Sequence, residues 1–149
     1  MNIEIQEILD YIHDHIPITS HLGAFIKQYD DESITIAAPL DLNINHRNSA
    51  FGGSLSAIAI LSGWALLFVK LKQSGLQNRL VIQHSSFDFQ SPATGDFEAV
   101  SKFPSSAELD RFIKMFKRKG KARITIKTDV YSGSEICGVN IGVYVAVKI

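Results

Sequence analysis

The feature that most constrains this chain is a nearly continuous apolar stretch from Ser54 to Gln73, which follows a polar loop ending in two glycines. Apolar residues occupy almost every angle around a helix drawn over this stretch, so the helix must be buried on all sides. A membrane span is one reading, but its uninterrupted part, 55–69, falls short of the roughly 20 residues that a bilayer needs, and two lysines follow it. The preferred interpretation is a central helix, about 52–73, enclosed by a sheet of the same chain.

Alternating patterns along the rest of the chain predict that sheet. The predicted strands are 21–29, 33–39, 80–90, 96–103, 121–131 and 136–147. In the third strand the parity of the apolar residues changes between Ile82 and Phe87, which predicts a bulge near Ser85 and Ser86. In the last strand the odd-numbered residues from Cys137 to Val147 share one apolar face.

Two further helices complete the predicted elements. An amphipathic helix at about 3–15 precedes the first strand, and a helix over 105–119 opens with a capping box formed by Ser105 and Glu108. Hairpin connections favour antiparallel pairing, so the class is α+β, with about six strands around one buried helix. We expect a single domain over 1–149.

Charge and cysteine content narrow the possible functions. The chain has 15 basic and 15 acidic residues, so no overall field favours nucleic acid. The only cysteine, Cys137, cannot form an intrachain disulfide and is expected to be a small buried residue. His13 and His15 lie two apart on a helix and do not face each other, so no metal site is predicted. The first residues are acidic, unlike a signal peptide, and predict a cytoplasmic protein with no membrane partner.

The order of elements and the loop before the central helix resemble the hotdog fold of acyl-CoA thioesterases and dehydratases, over about residues 16–148. Small phenylacetyl-CoA-type thioesterases carry in this loop Asn, two residues, Gly-Thr, one residue and His-Gly-Gly. Here Asn45 and the glycine pair 52–53 match, Ser49 stands for Thr, Asn48 replaces Gly and Phe51 replaces His.

A closer resemblance is to the thioesterase domain appended to some bacterial acetyltransferases, the YiiD C-terminal family. Its pattern looks like Asn-x-Asn, then Phe-Gly-Gly-Ser, then Gly-Trp about ten residues later. The corresponding segments here are 43–45, 51–54 and 63–64, and 89–92 resembles the aromatic-x-x-Pro of the family's third strand.

The junction between loop and helix is the predicted site. First-turn amides of a helix lack intrahelical partners, and the helix dipole favours negative charge there. Glycine lets a ligand approach the main chain. We therefore predict that Gly52 and Gly53 hold the thioester carbonyl, and the resemblance implies that Asn45 positions water or the carbonyl. Close helix packing is the alternative role of the glycines, and loop formation is that of Asn45.

The general base is missing from its usual place. Hotdog thioesterases commonly use Asp or Glu on the central helix, but 52–73 contains neither, and Ile60 stands where the phenylacetyl-type enzymes carry Asp. Candidate substitutes are His46 in the loop, or His84 and Asp88 on the third predicted strand, reached from a second subunit.

The predicted substrate-binding residues are Asn43, His46, Phe51, Ser54, Phe89, Lys121 and Arg123. Lys121 and Arg123 belong to seven basic residues within 114–127. This group can bind the phosphates of coenzyme A, and a solvated face is the alternative interpretation.

The resemblance implies a thioesterase that acts on an acyl-CoA or an acyl carrier protein. One alternative is a non-catalytic acyl-thioester binding module that cooperates with an acyltransferase. Another is a dehydratase or hydratase, against which Phe51 in the histidine position argues. No cofactor is expected, coenzyme A being part of the substrate. Hotdog sites lie between subunits, so we expect a homodimer or a dimer of dimers.

Overall fold

The computed structural model describes residues 4–149. Ile3, in the first turn of the predicted N-terminal helix, lies outside the described residues. The elements in chain order are α1 (Ile5–His15), α2 (Ile18–His21), β1 (Phe25–Tyr29), β2 (Ser33–Ala38), α3 (Gly52–Gln73), β3 (Asn78–Phe89), β4 (Phe97–Lys102), α4 (Ser106–Lys119), β5 (Lys121–Ser132) and β6 (Glu135–Lys148). The strands form a six-stranded antiparallel sheet in the order β1-β2-β4-β5-β6-β3. The predicted α+β class and the long central helix are confirmed.

The helix α3 is the core of the fold. It contacts β2, β3, β4, β5 and β6, and 12 of its 22 residues are buried. It is long and apolar enough to cross a membrane, yet 67% of its most apolar window is buried inside the protein. The sheet therefore takes up the apolar surface that the sequence pattern required to be covered.

Gly63 lets α3 approach the sheet closely. A Cβ atom at this position would overlap the hydroxyl group of Tyr144, whose side chain is fully buried on β6. The Tyr144 hydroxyl donates a hydrogen bond to the carbonyl of Ile60 at 2.7 Å. A glycine on the helix and a tyrosine on the strand thus fit each other in shape.

A buried polar chain also joins α3 to the sheet. The hydroxyl of Ser62 donates to the carbonyl of Ala99 at 3.1 Å, and the hydroxyl of Ser101 donates to Ser62 at 2.9 Å. Thr128 lies 2.6 Å from Ser101. Because each hydroxyl has a partner, these polar groups avoid the cost of unsatisfied burial and fix the position of the helix over β4 and β5.

The strand β3 forms one edge of the sheet and contains the predicted bulge. Its register with β6 shifts between Ile82 and His84, so the extra residue is Gln83, two positions before the predicted place. Because the bulge adds one residue, even-numbered apolar residues before it and odd-numbered apolar residues after it face α3. Those residues are Leu80, Ile82, Phe87 and Phe89, which pair with Ala146, Tyr144, Asn140 and Gly138.

The inward face of β6 is not the valine-rich one. The buried residues opposite α3 are Gly138, Asn140, Gly142, Tyr144 and Ala146. From Val139 to Val147 the odd-numbered apolar residues share one face, but that face points away from α3, and Ile141 and Val147 on it are exposed. Cys137, predicted to belong to the same face, lies at the register shift between β5 and β6 and is buried in the core. Gly138 and Gly142 leave room for the rings of Phe87 and Tyr144, since a Cβ atom at either glycine would collide with them.

The start of the first strand, predicted at residue 21, was wrongly predicted, whereas the helix predicted over 105–119 is present as α4. Residues 18–21 form α2, because the chain after Pro17 turns helically and the hydroxyl of Thr19 donates to the carbonyl of Ile16 at 2.7 Å. The capping box of α4 is present: the Ser105 hydroxyl accepts from the Glu108 amide at 3.2 Å, and the Glu108 carboxylate accepts from the Ser105 amide.

Candidate functional site

The first turn of α3 presents two backbone amides without partners. Phe51 is the N-cap residue and provides no side-chain cap, while its carbonyl accepts from the amides of Ser54 at 2.9 Å and Leu55 at 3.2 Å. Within residues 4–149, the amides of Gly52 and Gly53 have no acceptor. Both donors lie at the positive end of the helix dipole, so they can bind an anionic or partly negative oxygen.

Two exposed phenylalanine rings stand over these amides. The side chain of Phe51 is 59% exposed and that of Phe89 is 57% exposed. A Cβ atom on Gly52 would lie 3.2 Å from the ring of Phe89, and one on Gly53 would overlap the ring of Phe51. The ring of Phe87 lies 4.4 Å from that of Phe89 between centroids. The site thus combines a polar floor with apolar walls, which suits a thioester carbonyl with an apolar acyl group.

The side chain of Asn45 holds the preceding loop together. Its Oδ1 accepts from the amides of Arg47 at 2.8 Å and Ser49 at 3.2 Å. Its Nδ2 donates to the Ser49 hydroxyl at 3.1 Å and to the Ala50 carbonyl at 3.4 Å. Because two acceptors and two donors are the full capacity of an asparagine amide, this geometry favours the loop-forming role of Asn45 over the water-positioning role.

Asn43 also shapes the loop. The Nδ2 atom of Asn43 donates to the carbonyls of Leu22 at 2.9 Å and Pro39 at 2.8 Å. The backbone carbonyl of Asn43 accepts from the Phe51 amide at 2.7 Å. The Oδ1 atom is buried without a partner among the described residues. The predicted contact of Asn43 with substrate is thus left to this one atom, as the two donors are engaged by the protein.

His84 and Asp88 lie on the other face of the sheet from the free amides. They pair with Val143 and Val139, which belong to the outward face of β6, and both side chains are exposed. The bulge at Gln83 is the cause, since beyond it the odd-numbered Phe87 and Phe89 face inward and the even-numbered His84 and Asp88 face outward.

The remaining predicted residues divide between the two ends of the molecule. Ser54 is buried in the first turn of α3, and His46 is exposed in the loop before it. Lys121 and Arg123 are at the far end of β5: Arg123 lies in the same cross-strand row as Val81. Eight residues separate Val81 from Phe89, about 26 Å at roughly 3.3 Å per residue.

Asn140 is a polar residue that the sequence reasoning did not select. Its side chain is 0% exposed, its Oδ1 accepts from the Ser85 hydroxyl at 2.8 Å, and its Nδ2 has no partner among residues 4–149. It lies two residues from Gly138, which pairs with Phe89. A lone asparagine flanked by glycines two positions away on either side in a valine-rich strand was the available signal. Its free N–H can donate to a water molecule or a ligand atom.

Burial keeps the nearby thiol and phenol neutral. Desolvation raises the pKa of the Cys137 thiol and that of the Tyr144 hydroxyl. A thiol with a raised pKa is a poor nucleophile. No group of three or more metal-binding side chains occurs within the part of the chain that the structure describes. The Gly52 and Gly53 amides can donate hydrogen bonds to a polarised oxygen.

An antiparallel sheet around a central helix, with free amides at the start of that helix, defines the class of hotdog thioesterase-type proteins. Residues 5–148 match the family model described as "Putative thioesterase (yiiD_Cterm)". The chain belongs to this family, and the resemblance drawn from the loop and helix motifs is confirmed.

Solved structures support the same fold. A protein of unknown function from Chlorobaculum tepidum is 28% identical, with a TM-score of 0.92, over 97% of this chain and 94% of that one. The putative thioesterase from Shewanella oneidensis is 21% identical, with a TM-score of 0.87, over 96% of both chains. A probable thioesterase from Pseudomonas aeruginosa is 17% identical, with a TM-score of 0.86, over 100% and 99%. At these lower identities the last two comparisons concern the fold alone.

Proposed function

We propose that this protein hydrolyses an acyl thioester at the N-terminus of α3. The observation that carries the proposal is the pair of partnerless amides, Gly52 and Gly53, beneath the exposed rings of Phe51 and Phe89. The family assignment over residues 5–148 supports it.

In the proposed reaction the thioester oxygen accepts hydrogen bonds from the two amides. Water adds to the carbonyl carbon, the developing oxyanion is stabilised by the same donors, and the C–S bond then breaks. The proton lost by water reaches the departing thiolate, so the products are a carboxylic acid and a thiol. Removing one oxyanion donor typically costs about 3 kcal/mol of transition-state stabilisation.

We propose His46 as the general base to be tested first. It is the titratable side chain in the loop that Asn45 holds, and α3 contributes no carboxylate between Gly52 and Gln73. The second source is a group supplied by a partner subunit. His84 and Asp88 face away from the amides, so we rank them below His46.

We also propose a homodimer formed along β3. This edge strand has 12 residues, and within the described part of the chain its outer edge is not paired with another strand. A long unpaired edge is a template for another strand. Antiparallel pairing of two β3 strands about their middle would place Asn78 of one subunit beside the partner's Phe89, so each site would be completed by the other subunit. The proposed location is the cytoplasm, and the proposed substrates are fatty or short acyl thioesters of coenzyme A or a carrier protein.

The test is a thiol-release assay over a panel of acyl-CoA chain lengths, with His46→Gln and His21→Gln beside the wild type. His21 is an exposed histidine at the end of α2 and serves as the matched control. We expect His46→Gln to lose tenfold or more in kcat while His21→Gln stays within twofold. Equal activity of both variants would exclude His46 as the base, and absence of release for every substrate would contradict hydrolysis.

Acyl-thioester binding without turnover is the second candidate function. Two observations favour it: α3 has no carboxylate, and the hydrogen-bonding capacity of Asn45 is taken up by its loop. Calorimetry with a non-hydrolysable acyl-CoA ether would detect such binding. Tight binding together with no thiol release would establish the binding module over the enzyme.

A further inference from the structure

The charges of this neutral protein are strongly segregated along the chain. Residues 106–127 contain eight of the 15 basic residues and two of the 15 acidic residues, a net charge of +6. The remainder of the chain carries the compensating −6, because the total is zero. This segment comprises α4 and the first half of β5.

All eight cations are exposed, and within residues 4–149 none forms an ion pair. They are Arg111, Lys114, Lys117, Arg118, Lys119, Lys121, Arg123 and Lys127. Among residues 4–149 the one salt bridge is between Lys27 and Glu98, which lie on β1 and β4. The positive surface formed by these eight residues, here called the basic face, is therefore not neutralised by the protein itself.

The basic face contains apolar surface and has a concave shape. A groove of about 690 Å³ between α4 and β5 is lined by Arg111, Lys119 and Arg123 around the apolar side chains of Phe112 and Met115. A second depression, of about 650 Å³, lies on the outer side of α4 and shares Arg111 and Met115 with the groove. Arginine and methionine are enriched in protein interfaces, and Met115 is 36% exposed at the centre of this surface.

We propose that the basic face docks an acidic carrier protein, which presents the acyl group as a thioester on a phosphopantetheine arm. This inference rests on the proposed function and chooses the carrier of its substrate. Complementary charge would speed the encounter and fix the orientation of the carrier.

The extent of the surface favours a protein over coenzyme A. Five of the eight cations lie on α4 between Arg111 and Lys119, about 12 Å at 1.5 Å per residue, and three lie on β5 between Lys121 and Lys127, about 20 Å at 3.3 Å per residue. One small ligand with three phosphate groups can contact only part of such a surface. An acidic protein surface of standard size can contact all of it.

The composition of the surface argues against nucleic acid and membranes. The two aromatic residues of 106–127, Phe112 and Phe116, are each 3% exposed and so cannot stack on bases. The same two residues form the apolar stripe of α4, which packs against the protein and is not available to insert into a bilayer.

The basic face comes nearest to the free amides at Lys127, whereas Lys121 and Arg123 lie at the other end of β5. Lys127 lies three residues before Val130 on β5, about 10 Å along the strand. Val130 pairs with Gly138, which pairs with Phe89, the residue whose ring lies against Gly52 at the start of α3. The proposed docking therefore requires the phosphopantetheine arm to enter from the Lys127 end of the face and to pass around the end of the sheet to Gly52.

The test compares one acyl group on three carriers: an acidic acyl carrier protein, coenzyme A and N-acetylcysteamine. The variant is Arg111→Glu with Lys119→Glu, and the matched control is Lys70→Glu with Lys72→Glu in the last turn of α3, which changes the charge equally outside the basic face. We expect the first variant to lose tenfold or more in kcat/KM for the carrier-protein substrate alone. We expect the control to stay within twofold for all three substrates.

Three results would overturn the docking proposal. An equal or greater loss with acyl-CoA would assign the face to coenzyme A phosphates. An unchanged carrier-protein rate would remove any docking role. Tighter binding of the wild type to anionic lipid vesicles than to the carrier would assign the face to a membrane. Calorimetric binding of the acyl-carrier protein to both variants separates the docking proposal from the proposed hydrolysis. Binding that is weakened by the charge reversal in the basic face, without hydrolysis of the substrate, would contradict only the hydrolytic function.

Discussion

Replacing Gly53 by alanine should lower activity strongly while leaving stability nearly unchanged. Gly53 is the second residue of α3 and has a helical backbone, so alanine raises helix propensity by up to about 1 kcal/mol. The new Cβ atom would overlap the ring of Phe51, but this ring is 59% exposed and can rotate away. An off-rotamer side chain costs about 0.5–1.5 kcal/mol. The two effects oppose each other, and the free energy of unfolding should stay within about 1 kcal/mol of the wild-type value.

The effect on hydrolysis has one direction. The added methyl group and the displaced ring occupy the space through which a thioester oxygen must approach the amides of Gly52 and Gly53. Loss of one oxyanion donor costs about 3 kcal/mol, which corresponds to a decrease of about 100-fold or more in kcat.

The assay is thiol release from a short acyl N-acetylcysteamine thioester, combined with guanidinium denaturation of the same samples. Ala107→Gly is the matched control, because Ala107 is the second residue of α4 as Gly53 is of α3. This control should lose up to about 1 kcal/mol of stability with unchanged hydrolysis of the small substrate. Hydrolysis by Gly53→Ala within twofold of wild type would refute the assignment of the amides to the thioester oxygen.

Three further predictions concern the loop, the core and alkaline pH. Asn45→Asp keeps the oxygen that accepts from the amides of Arg47 and Ser49, whereas Asn45→Ala removes it and should lower the free energy of unfolding by about 1–2 kcal/mol. Thermal denaturation should therefore show a smaller loss of stability for Asn45→Asp, and equal losses would contradict the loop-forming role. Gly63→Ala should lower the free energy of unfolding by about 1–3 kcal/mol or more, because its Cβ atom overlaps the buried Tyr144. The double variant Gly63→Ala with Tyr144→Leu should lose less stability than the two single losses added together, and strict additivity in denaturant titrations would refute the overlap. Burial raises the pKa of Tyr144, so above about pH 10 the unfolded phenol ionises first and wild-type stability should fall by up to about 1.4 kcal/mol per pH unit from this residue. Tyr144→Phe should show a shallower decline in denaturation experiments between pH 8 and pH 11, and parallel curves would refute the cause.

The amino-acid sequence by itself determined the elements whose cause is local. The apolar run 54–73 requires a buried helix, whatever covers it. The alternation in β5 assigns Ala122, Ile124 and Ile126 to the inner face, and the structure agrees. The capping box of Ser105 and Glu108 is formed within four residues, so it needs no tertiary contact to be recognised. The motifs at 43–45, 51–54 and 63–64 were together sufficient to indicate the family.

Only the tertiary structure decided which faces and partners these elements have. The valine-rich face of β6 looks like a core face in sequence, yet the core side carries Gly138 and Gly142, because the large rings of Phe87 and Tyr144 fill the space above them. A bulge of one residue at Gln83 decided that Phe89 joins the site while His84 and Asp88 face away.

Asn45 shows the same limit at the level of a single side chain. Sequence reasoning left water positioning and loop formation open, since both suit an asparagine before a helix. Four hydrogen bonds to the loop, seen only in the folded chain, account for its full capacity. Periodicity in the sequence reflects local structure. The direction of a side chain and the number of its hydrogen-bond partners depend on residues that are distant in the chain, and only the folded structure brings those residues together.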